Sequence, residues 1–396
     1  MKYGISTERV DLFDVNIVIV MQVKLREAVP FEELQKAFEK ACSAHEVLRS
    51  KVVIDEEGEA FYVDCDCPKN SFSETTQTLT ELINSNERKR FKIEEGEFIR
   101  GFAAPDGLVF MMHHLGGDGK SLLYFIETFM NCLSGNEIGE VPFKNLTLEN
   151  LPENSRIPFF YKILVNRWNR KWQKDKRVFD FLDMDRAYKN FWENRKTKTI
   201  IKRYEKSDIE QLIQKAKRAG VSLTAYLITD MIKDEKKKVD VGLAVDGRTD
   251  NNRSMGNQAT GISVEYKYDE KKSFEENAMA IHSLMQKKLN DDRYRFFVLG
   301  FMGKLDSTLK DALNLEHAGY FHAKSSSTVA ELLGYGEKVK DYSITNLTRA
   351  DIPLKYGDYE IKEIAFIPPV ISYGKNIIGI VTAGDVMNIA WHTYEE

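Results

Sequence analysis

Apolar residues follow two rhythms along this chain. Val15–Val23 is an almost unbroken apolar run, rich in β-branched residues and of strand length. After Pro30 they recur at Phe31, Leu34, Ala37, Phe38, Ala41 and Cys42, the spacing of one helical face, which predicts a helix to His45. Pro30 sits just ahead of that helix, where a missing N–H costs least. Arg49–Ile54 and Ala60–Val63, joined by Glu56-Glu57-Gly58-Glu59, predict a hairpin. Leu79–Arg88 predicts a helix. Phe98–Ala104 and Leu108–His113 predict two strands around Pro105-Asp106-Gly107, followed by a helix over Lys120–Leu133.

The second half starts the mixture again. Ile200–Tyr204 predicts a strand. Ser207 is a suitable N-cap for a helix to Ala219 that Gly220 ends, and Ser222 opens another to about Lys236. Strands are expected over Val239–Val245, Gly261–Tyr268, Tyr342–Asn346, Tyr359–Phe366, Ile377–Thr382 and Val386–Trp391, with helices over Phe274–Leu289 and Arg293–Leu315. Helices mixed with non-local strands in both halves predict an α/β chain of two subdomains, 1–150 and 199–396. Between them, 151–198 reads as a connector that is helical in places. It is basic and aromatic, with Trp168, Trp172, Phe179, Phe181, Tyr188, Phe191 and Trp192.

Composition narrows the class. The 396 residues are 42% hydrophobic and 30% charged with only 9 Pro, a globular profile and not a disordered one. A net charge of −4 argues against a dedicated nucleic-acid binder. The local balance is uneven, since Lys162–Arg203 holds 14 Lys/Arg against 5 Asp/Glu. Cys42, Cys65, Cys67 and Cys132 lack zinc-site spacing, so no metal is expected and reduced thiols are. The N-terminus is unlike a signal peptide and no apolar run approaches the ~20 residues of a membrane span. The expected compartment is the cytoplasm.

The densest chemistry lies in Leu108–Ser121. An apolar strand delivers His113 and His114 into Leu115-Gly116-Gly117-Asp118-Gly119, and a helix follows. Alternation along a strand points the two histidines to opposite sides. Gly119-Lys120-Ser121 matches the end of a phosphate-binding loop, but His114 stands where its first glycine would be, and a Cβ there crowds the cradle. Adjacent histidines in a loop also lack the helical H-E-x-x-H spacing of a zinc hydrolase. A histidine general base or a buried structural pair remains.

His113-His114-x-x-x-Asp118-Gly119 resembles the H-H-x-x-x-D-G motif of the superfamily that includes chloramphenicol acetyltransferase, condensation domains of nonribosomal peptide synthetases, and polyketide-associated and alcohol acyltransferases. Pro30–Leu34 through His45-Glu-Val-Leu-Arg49 resembles its first helix. Val245-Asp-Gly-Arg248 with Met255-Gly-Asn257 resembles its G-R…G-N segment. Phe366-Ile-Pro-Pro369 and Gly379-Ile-Val-Thr382 resemble its closing strands. The plant-type D-F-G-W-G signature is absent.

The resemblance implies two chloramphenicol-acetyltransferase-like subdomains forming a V, with a channel between them. It makes His114 a general base for transfer of an acyl group from a thioester, acyl-CoA or an acyl carrier protein, to a hydroxyl or amine, with no bound cofactor. Asp118 would pair across the halves with Arg248, and could equally N-cap the helix after it. Gly119 would let the loop close over that pair, and His113 would be structural. Asn257 would line the channel floor, and Thr345 and Asn346 would lie near the acyl oxygen. A carrier-protein-dependent, amide-forming condensation enzyme and a non-catalytic binding module are the alternatives. The connector's aromatics would cover the core while its cations stay solvated. A sharper reading makes it a dock for something anionic, such as coenzyme A phosphates or an acidic carrier protein, and membrane-surface contact is a third reading. Asp175, Asp180, Asp183 and Asp185 interrupt its basic face.

Overall fold

The computed structural model describes residues 2–250, 252–335, 340–372 and 374–395. Two six-stranded sheets organise them. The first runs Lys355–Tyr356, Tyr359–Ile367, Val18–Leu25, Gly107–His113, Ile99–Ala104 and Ser71–Glu74. Its pairs are antiparallel except the last. The second runs Ala259–Tyr266, Val239–Asp246, Lys340–Arg349, Gly374–Ala383, Val386–Tyr394 and Thr197–Tyr204. Lys340–Arg349 lies parallel to both neighbours there. Lys2–Gly4, Ala60–Asp64 and Ser50–Ile54 form a small third sheet.

The division expected at residue 199 is crossed by strand pairing and by helices of the C-terminal segment that join the larger core. Tyr359–Ile367 pairs with Val18–Leu25, with Ile364 opposite Val23 and Phe366 opposite Met21. The C-terminal segment therefore lends strands to the first sheet. The reason is visible in Ile364-Ala365-Phe366-Ile367, apolar on both faces and buried throughout, as an interior strand must be. Where this strand meets Gly374–Ala383, a Cβ on Gly379 would strike the Phe366 carbonyl and Pro368, so only glycine lets the two backbones touch.

Helices Phe31–Ala44 and Gly119–Leu133 pack together on the first sheet, with Phe38 edge-on to Phe125 at 5.8 Å. Helices Lys206–Arg218, Leu223–Ile232 and Phe274–Leu289 share a core with Val241, Leu243, Ile344, Ile378, Ile380 and Ile389 of the second sheet. The connector is helical over Phe159–Trp172 and Phe181–Trp192, and Trp168, Trp172, Phe179, Tyr188, Phe191 and Trp192 enter the larger core. Trp172 Nε1 donates to Thr308 Oγ1 at 2.8 Å and Trp192 Nε1 to the Val15 carbonyl at 2.8 Å.

Two of the differences from the expected boundaries have a clear local cause. The helix assigned to Ser207 begins two residues earlier, because Glu205 and Asp208 cap each other's backbone reciprocally. The stretch Arg293–Leu315 is three helices, Asp292–Arg295, Phe297–Met302 and Ser307–His317. The last is restarted by Asp306, whose carboxylate accepts from the Thr308 and Leu309 amides.

Candidate active site

Strand Gly107–His113 carries the two histidines to the seam between the halves. His113 ends the ladder opposite Val18 and turns into the first half. It is buried, and its Nδ1 accepts from the Leu115 amide at 3.2 Å. That acceptor role leaves the proton on Nε2. Burial, with His114, Arg90 and Arg100 nearby, pushes its pKa down to about 3, so the ring is neutral. It borders a cavity of about 10 Å³ shared with Leu12, Asp14, Phe91 and Tyr188.

His114 opens the short turn His114–Gly116, held by its own amide donating to the Ile17 carbonyl at 3.0 Å. The ring keeps 19% of its surface, and Nδ1 stands 3.8 Å from Asp11 Oδ2. That nitrogen is buried and has no hydrogen-bond partner among the described residues. Asp11 Oδ2 accepts from Asn257 Nδ2 at 2.8 Å, and Asn257 Oδ1 accepts from the Ala259 amide at 3.2 Å. Burial raises the Asp11 carboxyl, while His114 and Asn257 pull it back. An imidazole with one nitrogen toward a carboxylate and the rest of the ring partly open can accept a proton on the other nitrogen.

Asp118 does both things its sequence context allows. Its Oδ1 accepts from the Ser121 amide at 2.8 Å, which caps helix Gly119–Leu133. Across the seam, Arg248 donates from Nη1 to Oδ2 at 2.9 Å and from Nη2 to Oδ1 at 3.2 Å. The Gln258 amide also donates to Oδ2, at 2.9 Å. Burial alone would raise this carboxyl, but Arg248 outweighs it and holds Asp118 below the usual carboxylate range. At Gly119 a Cβ would press on Phe366 Cζ at 3.0 Å and Leu347 Cδ2 at 3.1 Å. Glycine lets the helix start against strands from the other end of the chain.

Thr345 and Asn346 part company. In strand Lys340–Arg349, Ile344 faces the helix-covered core, so Asn346 shares that face, and its Nδ2 donates to Thr224 Oγ1 at 2.9 Å. Asn346 therefore points away from the seam. Thr345 pairs with Gly379, on the face that meets the first sheet.

Three residues of this neighbourhood escape sequence reasoning. They are Asp11, Glu8 and Ser121. Glu8 accepts from Asn145 at 2.7 Å and from Tyr62 at 3.2 Å, and burial pushes it up to about 8. Ser121 Oγ donates to the Gly256 carbonyl at 2.9 Å and accepts from Arg248 Nη2 at 3.0 Å. Ser6–Asp14 is a polar stretch that reads as surface by composition, and only its position just before the first strand hints otherwise. Among the described residues, no group of three His, Cys, Asp or Glu side chains is arranged to hold a metal ion, and no helix is long and apolar enough to cross a membrane.

No protein-family model matches this sequence, and no curated protein does. Solved structures do resemble the fold. The first condensation domain of the CDA synthetase superposes with a TM-score of 0.65 at 12% identity, covering 99% of this chain and 90% of that one. The chain has the condensation-domain fold. A Mycobacterium tuberculosis polyketide synthase associated protein 5 shares this fold, with a TM-score of 0.61, 13% identity and coverage of 100% and 93%. So does the starter condensation domain of rhizomide synthetase in complex with C8-CoA, at 0.61, 11%, 99% and 89%. In a condensation-type fold of two halves, the seam that holds His114, Asp118 and Arg248 is where the sequence motif and the three-dimensional junction coincide.

Proposed function

We propose that this chain transfers an acyl group from a thioester, acyl-CoA in the first instance, to a hydroxyl or amine acceptor, with His114 as general base. The observation that carries the reading is the His114 ring itself. It is partly open at the seam, with Nδ1 3.8 Å from Asp11 Oδ2, beyond hydrogen-bond distance. At that range the carboxylate favours a proton on Nδ1 through its charge alone, which leaves Nε2 as the base. Nε2 takes the proton of the acceptor O–H or N–H as that atom attacks the thioester carbonyl. The new C–O or C–N bond forms, the carbonyl carbon becomes tetrahedral, and collapse breaks the C–S bond. The imidazolium then returns the proton to the departing thiolate. General-base help is worth ~10²–10⁴-fold, and holding both reactants at one imidazole adds to it.

The other groups support this step without touching the reacting atoms. Asp118 and Arg248 fix the two halves around it, and Asn257 braces Asp11. Thr345, on the inner face, is suited to the acyl side of a channel that would reach His114 between the halves. The C8-CoA in a structural neighbour supports a CoA thioester as donor. The condensation domains among the neighbours support a second reading, in which the donor is an acylated carrier protein and the product an amide.

Thiol release measured with acyl-CoA donors of increasing chain length, each with alcohol and amine acceptors, tests the proposal. Acceptor-dependent release that falls at least ~100-fold in His114→Ala is expected. A variant as active as the parent protein refutes the base. Release only from an acylated carrier protein selects the second reading.

A further inference from the structure

The exposed side of helix Phe159–Trp172 is unusual for a protein surface. Phe159 is 75% exposed, Phe160 69% and Ile163 52%, although the same helix buries Val165, Trp168 and Trp172. The opposite side anchors it, with buried Trp168 edge-on to Phe301 at 6.0 Å and the more open Tyr161 edge-on to Phe297 at 4.9 Å. The exposed phenyl rings are therefore held on a fixed element. At about 100° per residue, Arg167, Arg170 and Lys171 project on the same side as Phe159, Phe160 and Ile163. All three cations are exposed, as is Lys174 just beyond the helix, and no acidic residue lies within Phe159–Trp172.

The aspartates that interrupt the basic connector in sequence do not oppose this stripe in space. Asp180 and Asp183 cap the next helix reciprocally, and Asp183 also accepts from Arg177 at 2.7 Å and Tyr320 at 2.6 Å. Asp185 takes Arg90 at 2.6 Å and Lys92 at 2.9 Å. Asp175 takes Ser325 at 2.5 Å. Near the start of the helix, Glu153 stands 3.9 Å from Arg156.

We propose that this helix docks the protein on an anionic lipid surface. Phe159, Phe160 and Ile163 enter the boundary between headgroups and acyl chains, and Arg167, Arg170, Lys171 and Lys174 meet lipid phosphates. Apolar residues succeeded by cations along one convex stripe match that layered chemistry. A soluble phosphate compound would use the cations and leave three large apolar side chains in water.

Sedimentation of the full chain with vesicles tests this. Vesicles of phosphatidylcholine containing phosphatidylserine should bind it, pure phosphatidylcholine should bind it weakly, and binding should fall as salt rises. Phe159→Ser with Phe160→Ser, and separately Arg167→Glu with Arg170→Glu, should each lower binding about tenfold or more. All four side chains are exposed, so both variants should melt with the parent protein. His114→Ala should bind vesicles normally, which separates this surface from the proposed chemistry. Absence of binding to phosphatidylserine vesicles, or binding unchanged in either double variant, overturns the proposal. So does a concentration-dependent dimer that only the phenylalanine variant abolishes, because that makes the stripe an interface between copies.

Discussion

Replacing Asp118 with alanine should cost the protein about 4 kcal/mol of stability, and the sum can be traced atom by atom. The helix cap to Ser121 is worth about 1 kcal/mol. The pair with Arg248 is buried, with the two side chains 5% and 3% exposed. Removing one member of a buried pair costs about 3–5 kcal/mol, because the other charge stays in place without it. Here Arg248 retains Asp246 Oδ1 at 3.1 Å and Ser121 Oγ at 3.0 Å, which puts the loss at the lower end of that range. The Gln258 amide loses its acceptor as well, but neighbouring losses overlap and do not add. Urea unfolding followed by tryptophan fluorescence reads the change as a shifted midpoint. Arg248→Ala should cost less, about 3 kcal/mol, since Asp118 keeps its two amide donors. The double variant should lose about 2 kcal/mol less than the two single losses combined. An Asp118→Ala loss under about 1 kcal/mol, or strict additivity in the double variant, would refute a buried ion pair joining the halves. The same pair has an acid signature. Asp118 is held below its ordinary value, so its contribution is complete above the unfolded value near ~4 and disappears as pH falls through the folded one.

Asp11→Asn should lower kcat about tenfold or more with little change in KM, because an amide no longer attracts the imidazolium formed as His114 takes the proton; an unchanged kcat, or a loss carried by KM alone, rules out the positioning role. Stability should fall between about pH 5 and about pH 8. Burial raises Glu8 to about 8 and Asp14 to about 7, so the folded state holds protons there that the unfolded chain has released. His392 acts in the same direction. Burial opposes its charge, but Glu87 at 3.2 Å outweighs that and raises it, a contribution present below ~6.5 and lost as pH rises through the folded value. Glu8→Gln should flatten the urea-midpoint decline, and an equally steep decline in that variant counts against the assignment. Thr345→Val should alter kcat/KM for acyl donors with little change in melting temperature, whereas Asn346→Ala should do the reverse, since it removes the bond to Thr224. Equal effects of the two on activity would contradict their opposite faces.

What could be read from the sequence was what depends on near neighbours. The strand into His113 and the helix after Asp118 follow from apolar spacing, and the structure keeps them. The partnership of Asp118 with Arg248 joins residues 130 apart, and no local rule reaches that far; only the motif resemblance suggested it. Asn346 was misplaced although the signal was present. Ile344 and Asn346 are two apart, so whichever face buries one must carry the other. Asp11 offered no such handle. Ser6–Asp14 packs six polar or charged residues into nine, and composition assigns such a stretch to water. It is buried because partners meet it from elsewhere, as Arg9 meets Asp311 in a pair 0% exposed on both sides.

That burial suggests why the seam is polar at all. Arg9 with Asp311 spans 302 residues, Asp118 with Arg248 spans 130, and Glu87 meets His392 between the helix Leu79–Glu87 and the last strand. Replacing such pairs with well-packed apolar residues can be neutral or stabilising, so stability alone is a weak reason to have them. Their geometry is restrictive where apolar contact is tolerant, because a guanidinium donates to a carboxylate bidentately in few orientations. Two halves held only by apolar surface could slide by an ångström at small cost. At His114 such a slide would carry Asn257 and Asp11 out of register with the ring. Positioning at a reacting centre is sensitive on that length scale. The seam is therefore built from contacts that fix alignment, and the imidazole lies among them.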